Sequence, residues 1–412
     1  MITVRGWKTR QIGELGRVVT GRTPPTAAGD VFGDAYPFIT PTDMDGRRVL
    51  DRTERGLSEK GANLVNSSQV PEGSVAVSCI GWQMGKAVLV TRPSFTNQQL
   101  NTVVPTGEVL PEFLYYHLCT RQAELKNLGS VGVRTPILNK SRFEELEIAV
   151  PPEAIQRRIV GLLSAYDELV ENNTKRVKIL EEIARSLYRD WFVSFRFPGH
   201  EKTKLVSSRA GKIPEGWRPC LLGDLVDEIR DAVDPAEVAP ATPYFGLEHL
   251  PRRSIALGEW GQAGQVQSTK LWAKQGDILF GKIRPYFHKV GPAPVDAVCS
   301  SDTIVLRAKD RENFGVALGC VSSDSFVDHS SQTSQGTKMP RANWGVLKAY
   351  PCPLPPAPLL TRFNEIIGDT VGLLRNFVLR NRNLRATRDL LLPRLISGEI
   401  DVSTLPPEPA AS

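Results

Sequence analysis

Residues 151–191 read PPEAIQRRIVGLLSAYDELVENNTKRVKILEEIARSLYRDW, and their apolar residues recur in alternating steps of four and three. This spacing is the a/d seam of a coiled-coil helix, opened here by Pro151-Pro152. The predicted seam consists of Ile155, Ile159, Leu162, Tyr166, Leu169, Val177, Leu180, Ala184, Leu187 and Trp191. It is broken at Asn173. The segment therefore predicts a helix of about 40 residues, roughly 60 Å long.

A second segment with the same spacing follows Pro355-Pro356 near the end of the sequence. Its clearest polar interruptions are Asn381 and Arg388. The predicted seam consists of Phe363, Ile366, Thr370, Leu373, Phe377, Leu384, Leu391 and Leu395. Long helices with a narrow seam usually pair with another helix, so the two segments predict one antiparallel coiled coil. The alternative is two separate amphipathic helices, each packed on its own domain.

The rest of the chain repeats itself at offsets of about 200 residues, as internal duplication requires. Trp7-x5-Gly13-Glu14-Leu15 returns as Trp217-x5-Gly223-Asp224-Leu225, and residues 71–78 resemble 274–281 as a glycine-led turn before a strand. Asn97-Gln98-Gln99 corresponds in the same way to Cys299-Ser300-Ser301. The matches keep one order along the chain. They predict one architectural unit used twice.

This duplication predicts an α+β fold with two similar mixed domains, joined by the two long helices with an internal pseudo-twofold repeat. The predicted order is a mixed domain at 1–150, a helix at 151–197, a linker and second mixed domain at 198–354, a second helix at 355–398, and a tail at 399–412.

The repeat also predicts a register for the helix pair. A shift of 204 residues places Asn173 on Phe377 and Val177 on Asn381. If the helices run antiparallel about a pseudo-dyad near residue 175, Asn173 faces Asn381 and Val177 faces Phe377. Two facing amides in an apolar seam satisfy each other's hydrogen bonds and fix the register.

Composition limits the class of protein. The chain has 412 residues, 41% of them hydrophobic and 23% charged, which is typical of a soluble globular protein of more than one domain. Apolar runs stay below the roughly 20 residues that span a bilayer. Six widely spaced cysteines form no C-x-x-C pair and predict a reducing, cytoplasmic location. A net charge of +6 is compatible with nucleic-acid binding.

The sequence offers no constellation for catalysis. No Pro-Pro pair stands in the Asn/Asp/Ser-Pro-Pro-aromatic loop that an adenine methyltransferase needs. The stretch Gly81-Trp82-Gln83-Met84-Gly85-Lys86-Ala87 resembles a phosphate loop, but it is one residue short and ends in alanine. Glu112 with Glu124-Leu125-Lys126 is a loose match to a nuclease set. None of the five histidines lies in a metal or nucleophile motif.

Several sequence motifs, distributed over nearly the whole chain, resemble those of the specificity subunits of type I restriction–modification enzymes. They include Tyr188-Arg189-Asp190-Trp191-Phe192-Val193 at the end of the first helix and Ile213-Pro214-Glu215-Gly216-Trp217 at the start of the second half. Leu391-Leu392-Pro393-Arg394-Leu395-Ile396-Ser397-Gly398-Glu399-Ile400 closes the second helix, and Gly276-Asp277-Ile278-Leu279-Phe280-Gly281 belongs to the same pattern. Ser194-Phe195-Arg196-Phe197 departs from it, since many members carry an acidic residue early in this stretch.

The resemblance implies a non-catalytic subunit with two target recognition domains, which reads a bipartite sequence in double-stranded DNA, one domain per half-site. It implies two methyltransferase subunits docked on the helices, and restriction subunits bound through the complex. No cofactor is expected on this chain. S-adenosylmethionine, ATP and Mg²⁺ are expected on the partner subunits, where the methyltransferase would flip the target adenine.

Base readout needs Arg, Lys, Asn or Gln on turns that enter a groove, whereas phosphate contacts need only cations. These criteria select Arg22, Thr23, Lys86, Gln98 and Arg134 in the first domain, and Lys282, Arg284, Tyr286, Ser301 and Lys338 in the second. For each side chain the alternative is an ordinary solvated surface position.

Three other functions are compatible with parts of the pattern. A single-chain methyltransferase–nuclease would modify DNA alone. A scaffold that has lost DNA binding would have no salt-dependent affinity for duplex. A specificity subunit that serves modification only would lack a restriction partner.

Overall fold

The computed structural model describes residues 6–50, 52–129, 136–208 and 211–404. The chain divides into two compact units. Unit 1 comprises Met1–Glu168 and Arg385–Ser412, and unit 2 comprises Leu169–Leu384. Each unit therefore combines one mixed domain with a segment of each long helix. Within the described ranges, no helix has both the length and the apolar character needed to cross a membrane.

Unit 1 begins with a mixed domain of short strands and helices. Its strands are β1 (Lys8–Gln11), β2 (Gly16–Thr20), β3 (Phe32–Ile39), β4 (Val49–Leu50), β5 (Gly56–Leu57), β6 (Gln69–Val70), β7 (Val75–Ser78), β8 (Ala87–Val90), β9 (Ser94–Thr96), β10 (Leu100–Pro105) and β11 (Glu147–Val150). Its short helices are α1 (Ile12–Leu15), α2 (Glu59–Leu64), α3 (Pro111–Cys119), α4 (Gln122–Gly129) and α5 (Lys140–Glu144).

These strands form a five-stranded sheet in the order β2-β10-β7-β8-β4, a four-stranded sheet in the order β5-β3-β9-β6, and the pair β1-β11. The central strand β7 is buried along its whole length because both of its faces are covered, which explains its continuous run Val75-Ala76-Val77-Ser78. The antiparallel pair β1-β11 joins the beginning of the domain to the residues just before the first long helix.

Unit 2 contains the second mixed domain. Its strands are β12 (Leu205–Ser208), β13 (Gly211–Pro214), β14 (Val226–Ile229), β15 (Ala232–Val233), β16 (Pro243–Phe245), β17 (Gly261–Gln262), β18 (Lys270–Ala273), β19 (Ile278–Gly281), β20 (Val290–Pro292), β21 (Ala297–Cys299) and β22 (Thr303–Ala308). The two long helices are α6 (Glu153–Tyr188) and α11 (Ala357–Ile396), and the short helices of unit 2 are α7 (Leu222–Leu225), α8 (Phe314–Val321), α9 (Asp324–Gln332) and α10 (Trp344–Leu347).

Each domain has its own central sheet, and the two sheets have the same strand order. The order β14-β22-β19-β20 in unit 2 matches β2-β10-β7-β8 in unit 1. Val103 pairs with Val75, and Leu306 pairs with Ile278, so both strands of the repeat are shifted by the same 203 residues. The bridge between Arg218 and Leu354 likewise corresponds to the pair β1-β11. These matches confirm the predicted mixed fold and its internal repeat.

Both long helices begin directly after the proline pairs from which the sequence predicts them, Pro151-Pro152 and Pro355-Pro356. Proline without an N–H suits the first turn of a helix, where that donor has no intrahelical acceptor. The first helix changes at Arg189–Val193 into a π turn, and Phe195 then adopts a left-handed φ of 53°. The chain therefore leaves the helix a few residues before the predicted end at 197.

In unit 2 the two helix segments pack in opposite directions. Trp191 and Phe192, at the end of the first helix, contact Phe363 near the start of the second, with ring centroids 5.5 and 4.7 Å apart. Further along, Asn173 Nδ2 donates to Asn381 Oδ1 at 2.9 Å, and both side chains are buried. The facing amides that the repeat predicts are therefore present. The guanidinium of Arg176 lies 5.6 Å from the ring centre of Phe377.

The phase of the predicted seam was wrong by one residue at four positions. The four predicted side chains are exposed, namely Leu162, Leu169, Ile366 and Leu373, and their neighbours are buried instead, namely Leu163, Val170, Ile367 and Leu374. Both members of each pair are aliphatic, so the sequence supports either phase. The seam that packs is the one in phase with the buried Ile159, Asn173 and Phe363.

In unit 1 the helix segments share a charged network. Arg388 Nη1 donates to Asp167 Oδ1, and the Tyr116 hydroxyl donates to Asp167 Oδ2 at 2.6 Å. The Asp167 and Arg388 side chains are 10% and 22% exposed. The nearby carboxylates raise the pKa of Arg388 against the opposing effect of its burial. Arg388, which interrupts the apolar seam of the second long helix, therefore pairs with Asp167 on the first long helix.

The Asn173–Asn381 pair is expected to specify the register more than it stabilises the fold. Asn173→Leu alone should lower the free energy of unfolding by about 1–3 kcal/mol, because it removes the interhelical bond and places an apolar side chain against the buried Asn381 amide. The Asn173→Leu/Asn381→Leu double variant should regain most of that loss, since a well-packed apolar pair replaces both amides. Urea unfolding of both single variants and the double variant gives the coupling energy, and additive effects would contradict this account.

His117 on α3 predicts a pH dependence of stability. Burial lowers the pKa of His117 from 6.5 to about 3, with Arg121 as the next cause. The unfolded chain binds a proton below about pH 6.5 and the folded chain does not, so stability falls as the pH decreases from 7 towards 3. The loss at pH 5 should be about 2 kcal/mol. Comparison of unfolding at pH 7 and pH 5 for the native chain and His117→Gln tests this, and equal pH slopes would refute it.

Candidate nucleic-acid interface

The first domain gathers polar side chains where β2 and β9 end. Arg22 and Thr23 follow β2 and are exposed. The Thr23 hydroxyl donates to Gln98 Oε1 at 2.6 Å, and Gln98 is exposed in the connection between β9 and β10. Gly21 permits this approach, because a Cβ there would lie 2.2 Å from the carbonyl oxygen of Asn97. The structure thus brings three predicted residues, Arg22, Thr23 and Gln98, into one cluster.

Beside the Asn97–Gln99 segment, a turn connects β7 to β8 and carries Trp82, which is 83% exposed. A cavity of about 430 Å³ separates this turn from its neighbours. Amides, hydroxyls and one guanidinium line it, from Thr40, Thr42, Arg55, Gln83, Asn97 and Gln99. Asn97 Nδ2 donates to Gln99 Oε1 at 2.9 Å, which holds the two amides in place. Such groups match the hydrogen-bonding edges of nucleobases.

Lys86 lies at the end of the same turn, but its ammonium group is occupied. Lys86 Nζ donates to the carbonyl oxygen of Met44 at 2.7 Å and to Gln83 Oε1 at 3.1 Å. A phosphate contact by Lys86 would therefore compete with these two bonds. Arg134, the remaining residue selected in this domain, lies outside the described residues.

In the second domain, the turn after β19 carries three of the predicted residues, Lys282, Arg284 and Tyr286. Lys282 is half-buried, and its backbone N–H donates to Asp302 O at 2.8 Å. Ser301, exposed beside Asp302, is consequently close to this turn. Arg284 Nη2 donates to the carbonyl oxygen of Lys338 at 3.4 Å, and the Lys338 side chain is exposed. The five predicted residues of this domain therefore lie on three adjoining segments.

Arg284 has an unusual conformation for an interface side chain. Its φ is +50°, a left-handed value that costs a non-glycine residue roughly 1–2 kcal/mol. Its Nε is buried without a hydrogen-bond partner among the described residues. Its guanidinium carbon lies 5.9 Å from the ring centre of Phe287. Strained backbone tends to occur at functional sites, where the surrounding structure enforces it.

The hydrogen bonds correct the sequence alignment of the two domains by one residue. Leu100 N donates to Asn97 O in the first domain, and Thr303 N donates to Ser300 O in the second. Asn97 therefore corresponds to Ser300 and not to Cys299. With this register Gln98 is equivalent to Ser301, and both are exposed. Two residues that were selected separately occupy the same position in the repeat.

Sequence reasoning missed three candidates on these surfaces. Trp82 is part of the imperfect phosphate loop, and its position directly after Gly81 in a glycine-rich turn was a usable signal. Arg252 stacks its guanidinium over the ring of Phe287 at 4.0 Å, and Arg341 Nη2 lies 3.6 Å from Asp302 Oδ1. No local sequence signal identified these two arginines, because their partners are distant in the chain.

The candidate interface is rich in hydrogen-bonding side chains. Among the described residues, no group of three or more His, Cys, Asp or Glu side chains is placed to hold a metal ion. Burial raises the pKa of the Cys79 thiol to about 12, which makes it a poor nucleophile at neutral pH. What the arrangement offers is exposed amides, hydroxyls, guanidiniums and aromatic rings on anchored turns.

Known proteins resemble the chain in both sequence and fold. The family described as "Type I restriction modification DNA specificity domain" matches residues 4–183. The MjaIX specificity subunit of a type I restriction enzyme from Methanocaldococcus jannaschii is 25% identical, over 97% of this chain and 95% of that protein. The HindI specificity subunit from Haemophilus influenzae is 33% identical, over 43% of this chain and 39% of that protein.

The chain is similar to the specificity subunits of type I restriction enzymes over nearly its whole length. A crystal structure of the S subunit from M. genitalium has the same fold, with a TM-score of 0.61 over 96% of this chain and 97% of that one, at 14% identity. The predicted resemblance is thus confirmed at the level of family.

Proposed function

We propose that this chain is a specificity subunit that provides the DNA sequence recognition of a type I restriction–modification complex, with one mixed domain for each half of a bipartite target. The observation that carries the proposal is the repeated sheet, which presents exposed polar side chains at equivalent places, such as Gln98 and Ser301. Phosphate contacts alone would orient the duplex without reading it, whereas amides and guanidiniums on turns can address base edges.

The two domains differ in the residues at those places, and this predicts an asymmetric target. Gln98 can bond an adenine edge in bidentate fashion, whereas its equivalent Ser301 carries a single hydroxyl. Turn residues differ too, since Trp82 and Gln83 stand where the second domain has Pro285 and Tyr286. Two half-sites of different sequence are therefore expected, despite the pseudo-twofold repeat of the protein.

Catalysis is proposed to belong to partner subunits. This chain lacks the methyltransferase loop and the phosphate loop, and the interface described above has no activated nucleophile. S-adenosylmethionine, ATP and Mg²⁺ would bind to the modification and restriction subunits. If the purified chain alone methylated or cut DNA, the single-chain enzyme would replace this proposal.

Two methyltransferase subunits are proposed to dock on the long helices. Leu162 and Leu169 are exposed one above the other on the first helix, seven residues apart. A shift of 204 residues places them on Ile366 and Leu373 of the second helix, which are also exposed. Exposed aliphatic side chains at equivalent positions of a repeat support two copies of one partner.

Native mass spectrometry of the co-purified complex tests this stoichiometry. The native chain should carry two methyltransferase subunits. Leu162→Glu/Leu169→Glu and Ile366→Glu/Leu373→Glu should each reduce the number to one. Ile179→Glu is the matched control, because Ile179 is an exposed aliphatic residue of the first helix with Asn383 at the equivalent place. Loss of both partners from either double variant would contradict two separate docking sites.

Salt-dependent duplex binding tests the central function. The complex should bind its target duplex with an affinity that falls steeply as salt rises, because phosphate contacts release counterions. Filter binding at several salt concentrations measures this slope. A chain that acts only as a scaffold would give no salt-dependent affinity. A subunit that serves modification alone would bind DNA normally but would lack a restriction subunit among its co-purified partners.

A further inference from the structure

Two equivalent turns, residues 79–86 after β7 and 282–289 after β19, are built by the same backbone hydrogen bonds. We call them turn 1 and turn 2. Ser78 N donates to Lys86 O at 2.9 Å, and Gly281 N donates to Lys289 O at 2.8 Å. Further matched bonds fix their outer halves, from Cys79 N to Gln99 O and from Lys282 N to Asp302 O, both 2.8 Å. The repeat therefore extends from the sheet into these turns.

A lysine secures each turn to a neighbouring loop of its own domain. In turn 1, Lys86 Nζ donates to Met44 O, and in turn 2, Lys289 Nζ donates to Leu247 O. Burial lowers the pKa of Lys289. Met84 in turn 1 is completely buried. These anchors make both turns rigid platforms, and rigidity reduces the entropic cost of binding through their tips.

The backbone of both turns passes twice through the left-handed region at equivalent positions. Turn 1 uses Gly81 and Gly85, with φ of +88° and +86°. Turn 2 uses Arg284 and His288, with φ of +50° and +52°. Glycine adopts such values freely, but for arginine and histidine they are strained. The second domain keeps this turn shape despite the strain. Turn 1 and turn 2 therefore have the same backbone conformation although their residues differ.

Each turn presents an exposed aromatic side chain near its tip, and in turn 2 it lies one residue further along the turn than in turn 1. Trp82 at the tip of turn 1 is 83% exposed, and Tyr286 at the tip of turn 2 is 51% exposed. Large apolar side chains held in water on a rigid turn are characteristic of binding surfaces. We propose that Trp82 and Tyr286 stack against bases at a distorted step of their half-sites, so that each domain reads the deformability of DNA as well as its base edges.

The surroundings of the turns favour a nucleobase over a protein surface as the partner. The cavity beside Trp82 is lined by the Asn97, Gln99 and Gln83 amides, which suit the edge of a base whose face stacks on an indole. Turn 2 carries Phe287, over whose ring Arg252 lies at 4.0 Å, so an aromatic and a cation stand together beside Tyr286. Stacking on aromatic residues and insertion of side chains at flexible steps are established modes of DNA deformation.

This inference rests on the proposed function, and the test separates the two. The probe is a duplex carrying the bipartite target mapped from the methylated adenines of cells that produce the complex. 2-Aminopurine replaces single adenines of each half-site in turn, except the methylated adenine that the methyltransferase would flip. Binding of the co-purified complex should increase 2-aminopurine fluorescence at one step of the half-site as that step unstacks. Trp82→Ala should abolish the increase in one half-site and raise Kd roughly 5- to 100-fold. Tyr286→Ala should do the same in the other.

Trp82→Phe and Tyr286→Phe should retain most of both signals, because each keeps an aromatic ring. Leu64→Ala is the matched control in the first domain, since Leu64 is also exposed and apolar but lies on α2. Specific binding with no change in fluorescence, or equal Kd for Trp82→Ala and Leu64→Ala, would overturn the stacking role and leave the proposed function intact. Loss of methyltransferase co-purification in Trp82→Ala would instead identify a protein interface and would also overturn it. Failure of the native complex to prefer its target over random duplex would refute the proposed function itself.

Discussion

Asp167→Ala should lower the free energy of unfolding of unit 1 by about 3 kcal/mol, because it leaves a mostly buried guanidinium with only the exposed Asp389 as counter-charge. Arg388 Nη1 and the Tyr116 hydroxyl both donate to this carboxylate. Removal of one partner from a buried ion pair is far more costly than removal of both. Urea unfolding followed by circular dichroism measures the loss.

The control for Asp167→Ala is Glu153→Ala on the same helix and in the same unit. Glu153 pairs with Arg157 across an exposed helical turn, and such pairs contribute only about 0.3–0.5 kcal/mol. The double variant Asp167→Leu/Arg388→Met should recover most of the stability, since no buried charge remains unpaired. A loss of less than about 1 kcal/mol for Asp167→Ala, equal to that of the control, would show that this network does not hold the helix segments of unit 1.

Arg284→Gly should separate DNA recognition from folding. Glycine relieves the left-handed strain at φ +50°, so the variant should melt at the same temperature or higher. Loss of the guanidinium should raise Kd for the target duplex by roughly 10- to 100-fold. The weakened contacts should be those to the half-site that the second domain reads. Equilibrium binding to target and random duplexes, together with thermal unfolding, measures both effects.

Arg311→Ala provides the comparison, because Arg311 is an exposed arginine of the same domain outside the candidate interface. It should affect target and random duplexes equally and weakly. Arg284→Ala should match Arg284→Gly in binding but not in stability, because alanine retains the strain. Unchanged binding of both duplexes by Arg284→Gly would remove Arg284 from the interface.

The two long helices show which features of the fold can be predicted from the sequence and which cannot. The heptad spacing and the 204-residue shift are sufficient to place Asn173 opposite Asn381, because only these seam positions combine an amide with the right spacing. The predicted phase of the apolar seam was wrong at Leu162 and Leu169, because each is followed by another aliphatic residue, Leu163 and Val170. Periodicity cannot choose between two apolar neighbours, and the packing of the folded domains makes that choice.

The candidate interface was less predictable for a different reason. Arg22, Thr23 and Gln98 could be selected by residue type and turn context, and they do form one cluster. Lys86 looked like a free cation, but its partner is the backbone carbonyl of Met44, to which residue type gives no clue. The shared left-handed geometry of turn 1 and turn 2 was hidden because glycines hold it in one domain and Arg284 and His288 in the other.

The central claim, that two different domains read two half-sites, is tested most directly by mapping methylation. The chain is co-purified with its methyltransferase subunit, and methylated adenines are then located genome-wide in cells that produce the complex. The account predicts one bipartite motif, two unlike specific segments separated by an unspecific spacer of fixed length, and loss of specificity in the second domain's segment with Arg284→Gly. A single continuous motif, a symmetric one, or no methylation dependent on this chain would contradict it.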